Sequence, residues 1–189
     1  GGNMRSRPIL LSVLISAVIL VLAVTSTTEG KYHLPFDIKY HTLSKSTQKQ
    51  VDCLTENIIH EAGRETREGQ VAVALVTLNR VASGNYANDI CGVVKQKTNG
   101  VCQFSWVCDS SANQRLTNTH NSLYNEVRSV AINVIMNYET MKDITKGATY
   151  YHADYVNPHW GLPKTIKIGN HIFYKRQSDV SKIDKEIRL

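Results

Sequence analysis

The stretch VDCLTENIIHEAGRETREGQVAVALVTLNRVASG, residues 51–84, determines the fold of this chain. Its apolar residues recur at the spacing of one helical face in two successive runs. The first run contains Val51, Leu54, Ile58 and Ala62, and the second contains Val71, Leu75, Leu78 and Ala82. Gly63 and Gly84 stand where the two runs end, as glycine does after a helix. The stretch therefore predicts two consecutive helices, the second beginning at Glu68.

The residues after Gly84 carry weaker patterns. Residues 89–96 predict a short helix, and Thr119 opens a long helical stripe. Residues 101–107 alternate imperfectly, but Phe104 and Trp106 favour a strand there. On such a strand Gln103 and Ser105 share one face and the two aromatic rings share the other. Polar groups beside aromatic rings are typical of a sugar groove, although a core strand with buried Phe104 and Trp106 is the better explanation of this segment taken alone.

The last third of the chain changes from helical to strand-like periodicity. Residues 149–152 are strand-like, and residues 165–168 and 171–174 flank Gly169-Asn170. A two-residue connection with glycine first is a typical hairpin turn. Helices followed by a small antiparallel sheet indicate an α+β fold.

The N-terminus predicts a membrane segment. Residues 1–3 resemble a cloning remnant, and residues 8–28 form an uncharged apolar run of about 20 residues, enough to cross a bilayer. Arg5 and Arg7 precede the run, which favours a cytoplasmic N-terminus and places the chain after Glu29 outside the inner membrane. We expect an uncleaved signal anchor with a periplasmic domain. A cleaved signal peptide is the alternative.

Composition and spacing divide the chain into segments without revealing a repeat. With 189 residues, 42% apolar and 20% charged, the chain is typical of a globular protein. The net charge of +6 is too small to indicate nucleic-acid binding, and export argues against it.

The capping-box pair Thr47 and Gln50 predicts where the folded domain begins. The predicted segments are an anchor over residues 4–28, a tether over 29–46, a catalytic domain over 47–177 and a charged tail over 178–189.

All four cysteines, Cys53, Cys91, Cys102 and Cys108, follow the apolar run. An even number of cysteines in an oxidising compartment predicts two disulfides. Three pairings are possible, and we favour Cys91–Cys102 with Cys53–Cys108. The spacings do not resemble paired C-x-x-C zinc sites, so we expect no metal.

Glu61 is the strongest candidate for a catalytic group. It follows the apolar face of the first helix and precedes the break at Gly63. A carboxyl group at the end of a buried helix has a raised pKa, which a general acid in glycosidic cleavage requires. The alternative is a solvated glutamate paired with Arg64 or Arg67. The zinc-protease motif H-E-x-x-H is absent, because Arg64 occupies the position of its second histidine.

A second candidate region, residues 150–160, is dense in Tyr, His and Trp. Such rings combine an apolar face with a polar tip, as carbohydrate sites often do. Tyr151 and His152 are the candidate binding residues in this segment. His152 and His159 could also bind a metal, but no carboxylate or cysteine stands at a recognisable spacing from them.

Together these segments resemble the SleB/CwlJ-type cell-wall hydrolases, the family of spore-cortex-lytic enzymes and their relatives. The similarity extends in order from Val51 to about Lys175. One departure is that the family's Arg-Gly after Glu-Ala is inverted here to Gly63-Arg64. The matching blocks are Glu61-Ala62-Gly63-Arg64-Glu65, residues 68–74 (EGQVAVA), Leu78-Asn79-Arg80, residues 90–94, residues 102–106 with Cys108-Asp109, residues 148–160 and residues 168–174.

The resemblance implies a lysozyme-like helical core that carries the glutamate, with the small sheet as one wall of a groove. It implies cleavage of the β-1,4 bond between N-acetylmuramic acid and N-acetylglucosamine in peptidoglycan, with Glu61 as acid and base and no cofactor. We expect Gln103, Ser105, Tyr151 and His152 to line the groove. A single glutamate suits a lytic transglycosylase that forms 1,6-anhydro ends.

The amino-acid sequence is also compatible with three other functions. They are a hydrolytic muramidase, a zinc-dependent N-acetylmuramoyl-L-alanine amidase and a non-catalytic peptidoglycan-binding module. The predicted anchor would also suit a phage endolysin that is held at the membrane before release.

Overall fold

The computed structural model of the chain describes residues 39–113 and 122–179. The predicted anchor, most of the tether, the start of the long helix at Thr119 and the tail beyond Asp179 lie outside these residues. Within the described ranges, no helix is long and apolar enough to cross a membrane.

The described chain contains five α-helices and five strands. The helices are α1 (Lys45–Ala62), α2 (Arg67–Ser83), α3 (Ile90–Lys95), α4 (Ser110–Asn113) and α5 (Ser122–Asn137). The strands are β1 (Lys97–Thr98), β2 (Val101–Cys102), β3 (Tyr150–Ala153), β4 (Lys164–Ile168) and β5 (His171–Tyr174). Short 3-10 helices span Tyr40–Thr42, Ser105–Cys108 and Gln177–Asp179. This helical and antiparallel arrangement confirms the predicted α+β class.

The ends of the first two helices follow local hydrogen-bonding rules. Ser44 caps α1, because its hydroxyl accepts from the Thr47 amide at 3.1 Å. The predicted capping box of Thr47 and Gln50 is therefore wrong, since Thr47 already lies inside the first turn. Gly63 follows the last residue of α1, and Gly84 follows α2 with a left-handed φ of 68°. Both predicted helix ends are confirmed.

Helix α2 lies at the centre of the domain. Residues 71–76 of this helix have no exposed surface, so the helix is buried on all sides. Most of its apolar residues pack in one cluster with α1, α3 and α5. Ala72 and Val76 instead pack against Ile168 and Phe173 of the sheet. The helix therefore separates two hydrophobic clusters and joins the helical part of the domain to its sheet.

The three-stranded sheet is antiparallel in the order β3-β5-β4. Its β4–β5 connection turns at Gly169-Asn170, as predicted, with φ of 53° at Gly169. Glu65, in the connection between α1 and α2, accepts from the backbone amide of Asn170 at 3.3 Å and from its Nδ2 at 2.8 Å. A Cβ atom at Gly169 would collide with the Glu65 carboxylate. This close approach fixes the hairpin turn against the helices.

The end of the described chain is held by a buried carboxylate. Asp179 is 4% exposed and accepts hydrogen bonds from Asn85 at 3.0 Å, Tyr86 at 3.0 Å and Thr149 at 2.7 Å. Thr149 immediately precedes β3. The last 3-10 helix therefore ties the beginning of β3 to the loop that follows α2.

The strand predicted over residues 101–107 is largely wrong. Only Val101–Cys102 forms a strand, paired with β1, and Ser105–Cys108 is a 3-10 helix. The Cys102–Cys108 disulfide brings its two Cα atoms to 6.0 Å. Six extended residues would span about 20 Å, so this disulfide requires the segment to turn. Phe104 and Trp106 are both buried, as the core alternative predicted.

The predicted presence of two disulfides is confirmed, but the predicted pairing is wrong. Cys53 pairs with Cys91, and Cys102 pairs with Cys108. Cys53 lies on α1 and Cys91 on α3, and these two helices pack against each other so that the Cα atoms are 5.3 Å apart. Helix packing therefore brings together two cysteines that are distant in sequence, and leaves the other two within one short loop.

We expect the two disulfides to differ in their contribution to stability. Loop-closure entropy predicts a loss of about 4 kcal/mol for Cys53→Ala/Cys91→Ala and about 2 kcal/mol for Cys102→Ala/Cys108→Ala. The larger loss follows from the sequence separation of 38 residues against 6. Urea unfolding of both double variants measures the difference, and a peptide map without reductant checks the pairing. Equal losses, or a Cys91–Cys102 peptide, would contradict this assignment.

Candidate active site

Glu61 lies at the C-terminal end of α1, where the chain turns towards α2. Its side chain is partly buried, and the Tyr151 hydroxyl on β3 donates a hydrogen bond to its Oε2 at 3.0 Å. Burial raises the pKa of Glu61 above its ordinary value of 4.5. The hydrogen bond from Tyr151 and the charge of Arg80 both act to lower the pKa, but burial has the larger effect. The carboxyl group therefore has the property that was predicted for a general acid.

Arg80 is a buried cation at the C-terminal end of α2, only 5% exposed. Its Nε donates to the backbone oxygen of Thr149 at 2.7 Å. The guanidinium carbon lies 5.2 Å from the ring centre of Phe104 and 5.6 Å from that of Tyr150. These contacts hold a positive charge close enough to Glu61 to stabilise its ionised form. Sequence reasoning did not assign Arg80 a role, although the Leu78-Asn79-Arg80 block contained the signal.

Asn79 fixes the loop that leads into β3. Its Nδ2 donates to Asp143 Oδ2 and to the Ala148 backbone oxygen, both at 3.0 Å, and its Oδ1 accepts from the Tyr138 hydroxyl at 2.8 Å. Asp143 also accepts from the Gly147 amide at 2.7 Å. The neighbouring residues Asn79 and Arg80 therefore both anchor the approach to β3, which carries Tyr151 to Glu61.

Trp106 contacts the last turns of α1. Its ring stacks on His60 with centroids 4.3 Å apart and planes 14° from parallel. Its Nε1 donates to Oδ1 of Asn57 at 3.1 Å. Since His60 and Asn57 lie on the last turns of α1, these contacts fix the helix end that presents Glu61. The Cys102–Cys108 disulfide in turn holds the segment that carries Trp106.

The four predicted groove residues do not form one cluster. Tyr151 contacts Glu61 directly. Gln103 donates to the Thr98 hydroxyl at 3.1 Å on the small β1–β2 hairpin, and Ser105 is exposed on the following 3-10 helix. His152 follows Tyr151 on β3 and points to the opposite face of the sheet, where its Nε2 is 2.9 Å from the Tyr174 hydroxyl. Their role in substrate binding stays a prediction.

Three other acidic residues of the matching segments bind elsewhere or are exposed. Glu65 binds the hairpin turn, Glu68 is exposed on α2, and Asp109 accepts from the Ser111 amide and hydroxyl at 2.9 and 2.7 Å. The side chains that alter the pKa of Glu61 in the described ranges are Tyr151 and Arg80, neither of which is a carboxylate. Those ranges also contain no group of three or more His, Cys, Asp or Glu residues that could hold a metal ion.

The structure is thus a helical domain in which a glutamate at a helix end accepts a hydrogen bond from a tyrosine of a small sheet. Comparison with known proteins identifies the family to which this domain belongs. A profile of the cell wall hydrolase family matches residues 64–174, more than half of the chain. The chain belongs to this family. The matched range includes Arg80 and Tyr151, and it begins three residues after Glu61.

Its relatives include spore cortex-lytic enzymes. That of Bacillus subtilis strain 168 is 28% identical over 134 residues, which are 67% of this chain and 38% of the relative. That of Bacillus cereus strain ATCC 14579 is 29% identical over 136 residues, which are 68% of this chain and 45% of the relative. The chain thus spans less than half the length of these relatives.

Two solved structures resemble the fold. One is the catalytic domain of the germination-specific lytic transglycosylase SleB from Bacillus anthracis, with a TM-score of 0.51 and 30% identity over 68% of this chain and 95% of that one. The other is the catalytic domain of the Bacillus cereus SleB protein, with a TM-score of 0.50 and 29% identity over 68% of this chain and 91% of that one. The match covers nearly the whole of each catalytic domain.

We expect Glu61→Gln to stabilise the protein at neutral pH. The folded state holds the Glu61 proton more tightly than the unfolded state, because burial raises the pKa above 4.5. Stability is therefore lost as the pH rises through these pKa values, and glutamine avoids this loss. The free energy of unfolding should rise by about 0.5–2 kcal/mol at pH 7, with the gain disappearing near pH 4.

Urea unfolding at the two pH values measures this effect. The exposed Glu126→Gln on α5 is the matched control and should change stability little at either pH. A gain for Glu61→Gln that is equally large at both pH values would show that burial of the carboxylate is not its cause.

Proposed function

We propose that this chain is a peptidoglycan lytic transglycosylase that cleaves the β-1,4 bond between N-acetylmuramic acid and N-acetylglucosamine. The observation that carries the proposal is the partly buried Glu61, whose pKa is raised and whose Oε2 accepts from Tyr151. Membership of the cell wall hydrolase family supports peptidoglycan as the substrate. The likeness to a catalytic domain described as a lytic transglycosylase supports the reaction class.

The chemistry requires one group to act first as an acid and then as a base. Protonated Glu61 gives its proton to the glycosidic oxygen, and the bond from that oxygen to C1 of the muramyl sugar breaks. The resulting carboxylate removes the proton of the muramyl C6 hydroxyl, whose oxygen then bonds to C1. The products are a free C4 hydroxyl and a 1,6-anhydro end, and Glu61 has recovered its proton.

The surroundings of Glu61 suit both steps. Burial favours the protonated carboxyl group that begins the reaction. The Tyr151 hydroxyl and the Arg80 charge favour the carboxylate that exists between the two proton transfers. Burial has the larger effect on the pKa, and the two contacts oppose it. Arg80 and Tyr151 are therefore assigned to stabilise the ionised intermediate of Glu61.

The neighbouring carboxylates favour a transglycosylase over a hydrolase. Most glycoside hydrolases use a pair of carboxyl groups about 5–9.5 Å apart, one of which attacks the sugar or activates water. Glu65, the nearest acidic residue in sequence, instead holds the Asn170 turn through both of its oxygens. A nucleophile from within the substrate, the muramyl C6 hydroxyl, removes the need for a second carboxylate.

We expect Glu61→Gln to lower the rate of glycan cleavage by about 10²–10⁴-fold, because glutamine keeps the shape but has no proton to donate. The measurement is mass spectrometry of muropeptides released from purified sacculi. Wild type should release 1,6-anhydro ends, and the control Glu126→Gln should behave like wild type. Reducing ends would assign a hydrolytic muramidase, free peptides an amidase, and full activity of Glu61→Gln would reject its catalytic role.

We also propose that residues 8–28 anchor the enzyme in the inner membrane, with the catalytic domain on the outer side. The support is the apolar run with Arg5 and Arg7 before it. The use of all described cysteines in disulfides fits an oxidising compartment. In this arrangement the catalytic domain lies on the same side of the inner membrane as peptidoglycan while the anchor holds it there. A signal-anchor endolysin is held in this way before its release to the periplasm.

Membrane fractionation of cells that express the full chain tests the anchor. We expect the protein in the membrane fraction, resistant to extraction by high salt, with its N-terminus retained. In a second variant a cleavable signal peptide replaces residues 4–28. We expect this variant in the soluble periplasmic fraction. A soluble full-chain product that begins near Thr27 would instead establish a cleaved signal peptide.

A further inference from the structure

The two faces of the three-stranded sheet differ in chemistry. Tyr151 and Phe173 are cross-strand partners on the face that meets α2 and Glu61. Tyr150 and Tyr174 are partners on the opposite face, together with His152. Trp160, from the loop between β3 and β4, covers this second group. We call Tyr150, His152, Trp160 and Tyr174 the aromatic face.

The aromatic face is an ordered cluster of rings. Trp160 meets His152, Tyr150 and Tyr174 edge-on, with centroids 5.4, 5.8 and 5.9 Å apart. His152 stacks on Tyr174 at 5.2 Å, and their polar atoms are 2.9 Å apart. Trp160 nevertheless remains 43% exposed. A ring that is fixed by three neighbours and still open to solvent can bind a ligand with little loss of conformational entropy.

The backbone around Trp160 adopts an uncommon conformation. His159 has φ of 50° and Gly161 has φ of 63°, so left-handed residues flank Trp160 on both sides. Left-handed φ is uncommon for a residue with a side chain, and such conformations concentrate at functional sites. The loop also exposes Tyr155 and Val156. One residue with a side chain, His159, is therefore held in an uncommon conformation directly before Trp160, which packs on the ring cluster.

Basic side chains border the same face. Lys164 is the cross-strand partner of Tyr174, and Lys167 pairs with Ile172 beside His152. The Arg176 guanidinium lies 4.9 Å from the centre of the Tyr150 ring. Lys167 is paired with Asp154 at 2.7 Å, whereas Lys164 and Arg176 are exposed. The surface thus combines apolar ring faces with positive charge at its rim.

We infer that the aromatic face is a second, non-catalytic binding surface for peptidoglycan strands. The apolar faces of pyranose rings pack against aromatic rings, and the carboxylates of the stem peptides match the basic rim. This inference rests on the proposed function for its substrate class. The rings of the aromatic face stand on the sheet face opposite Tyr151, and only Tyr150 also contacts Arg80, so a strand bound at Trp160 does not occupy the Tyr151–Glu61 contact. The aromatic face holds the enzyme on the insoluble polymer between successive cleavages.

Binding without cleavage tests this surface. The probe is purified sacculi, and the protein is the full chain carrying Glu61→Gln, solubilised in a neutral detergent. Adding Trp160→Ala should weaken sedimentation with sacculi about fivefold or more, as loss of an aromatic anchor does. Trp160→Phe should retain most of the binding. Met136→Ala is the matched control, since Met136 is 47% exposed and lies on α5, which is not part of the sheet.

A second variant keeps the test decisive if Trp160→Ala does not fold. Arg176→Gln should weaken binding and make it less sensitive to salt, because one charge contact is lost. On glycan strands stripped of stem peptides, Trp160 should still matter and Arg176 should not. Unchanged binding in both variants, or a Trp160 effect that disappears on stripped strands, would overturn the inference.

The binding test of the aromatic face and the cleavage test of the proposed reaction can fail independently. If wild type releases no glycan fragments but Trp160-dependent binding persists, the reaction assignment fails and the binding surface stands. If wild type cleaves and the Trp160 and Arg176 variants bind like their parent, the surface fails and the reaction stands.

Discussion

The candidate site is built around one hydrogen bond between residues 90 positions apart, from the Tyr151 hydroxyl to Glu61. Helix α1 supplies the Glu61 carboxyl group, and the edge strand β3 supplies the tyrosine that donates to it. The bond forms only if sheet and helices keep a fixed separation. Two polar contacts fix it: Glu65 holds the hairpin turn, and Asn79 holds the loop before β3. The Glu61 carboxyl group and the side chains that fix its surroundings thus come from a few short segments of the chain.

The buried helix α2 explains why a small domain can position this site so firmly. Its middle residues fill both hydrophobic clusters, which fixes the helix in place. Its last turns then project Asn79 and Arg80 towards the sheet. Arg80 is costly to bury, and its Nε bond to Thr149 and its aromatic neighbours offset part of that cost. A charge placed in this way retains its effect on Glu61, because little water can screen it.

The parts of this arrangement that are local in sequence could be predicted, and the parts that depend on packing could not. The periodicity before Gly63 and Gly84 predicted both helix ends, and Gly169-Asn170 predicted the hairpin. The pairing of Cys53 with Cys91 depends on how α1 meets α3, which no spacing reveals. The burial of Arg80 could not be predicted either, because the residues around a buried arginine are brought together only by packing. Tyr151 and His152 were both expected to line the groove, but the structure places them on opposite faces of β3, as adjacent residues of a strand lie.

The small loop closed by Cys102 and Cys108 has an evolutionary consequence. The disulfide and the buried Trp106 fix this loop from within, so its outward residues contribute little to the fold. Ser105 is exposed there. Substitutions at such positions therefore change the stability of the fold little. These tolerant positions lie beside the helix end that carries Glu61. Among relatives that keep this disulfide, sequence divergence should accumulate fastest at these outward positions.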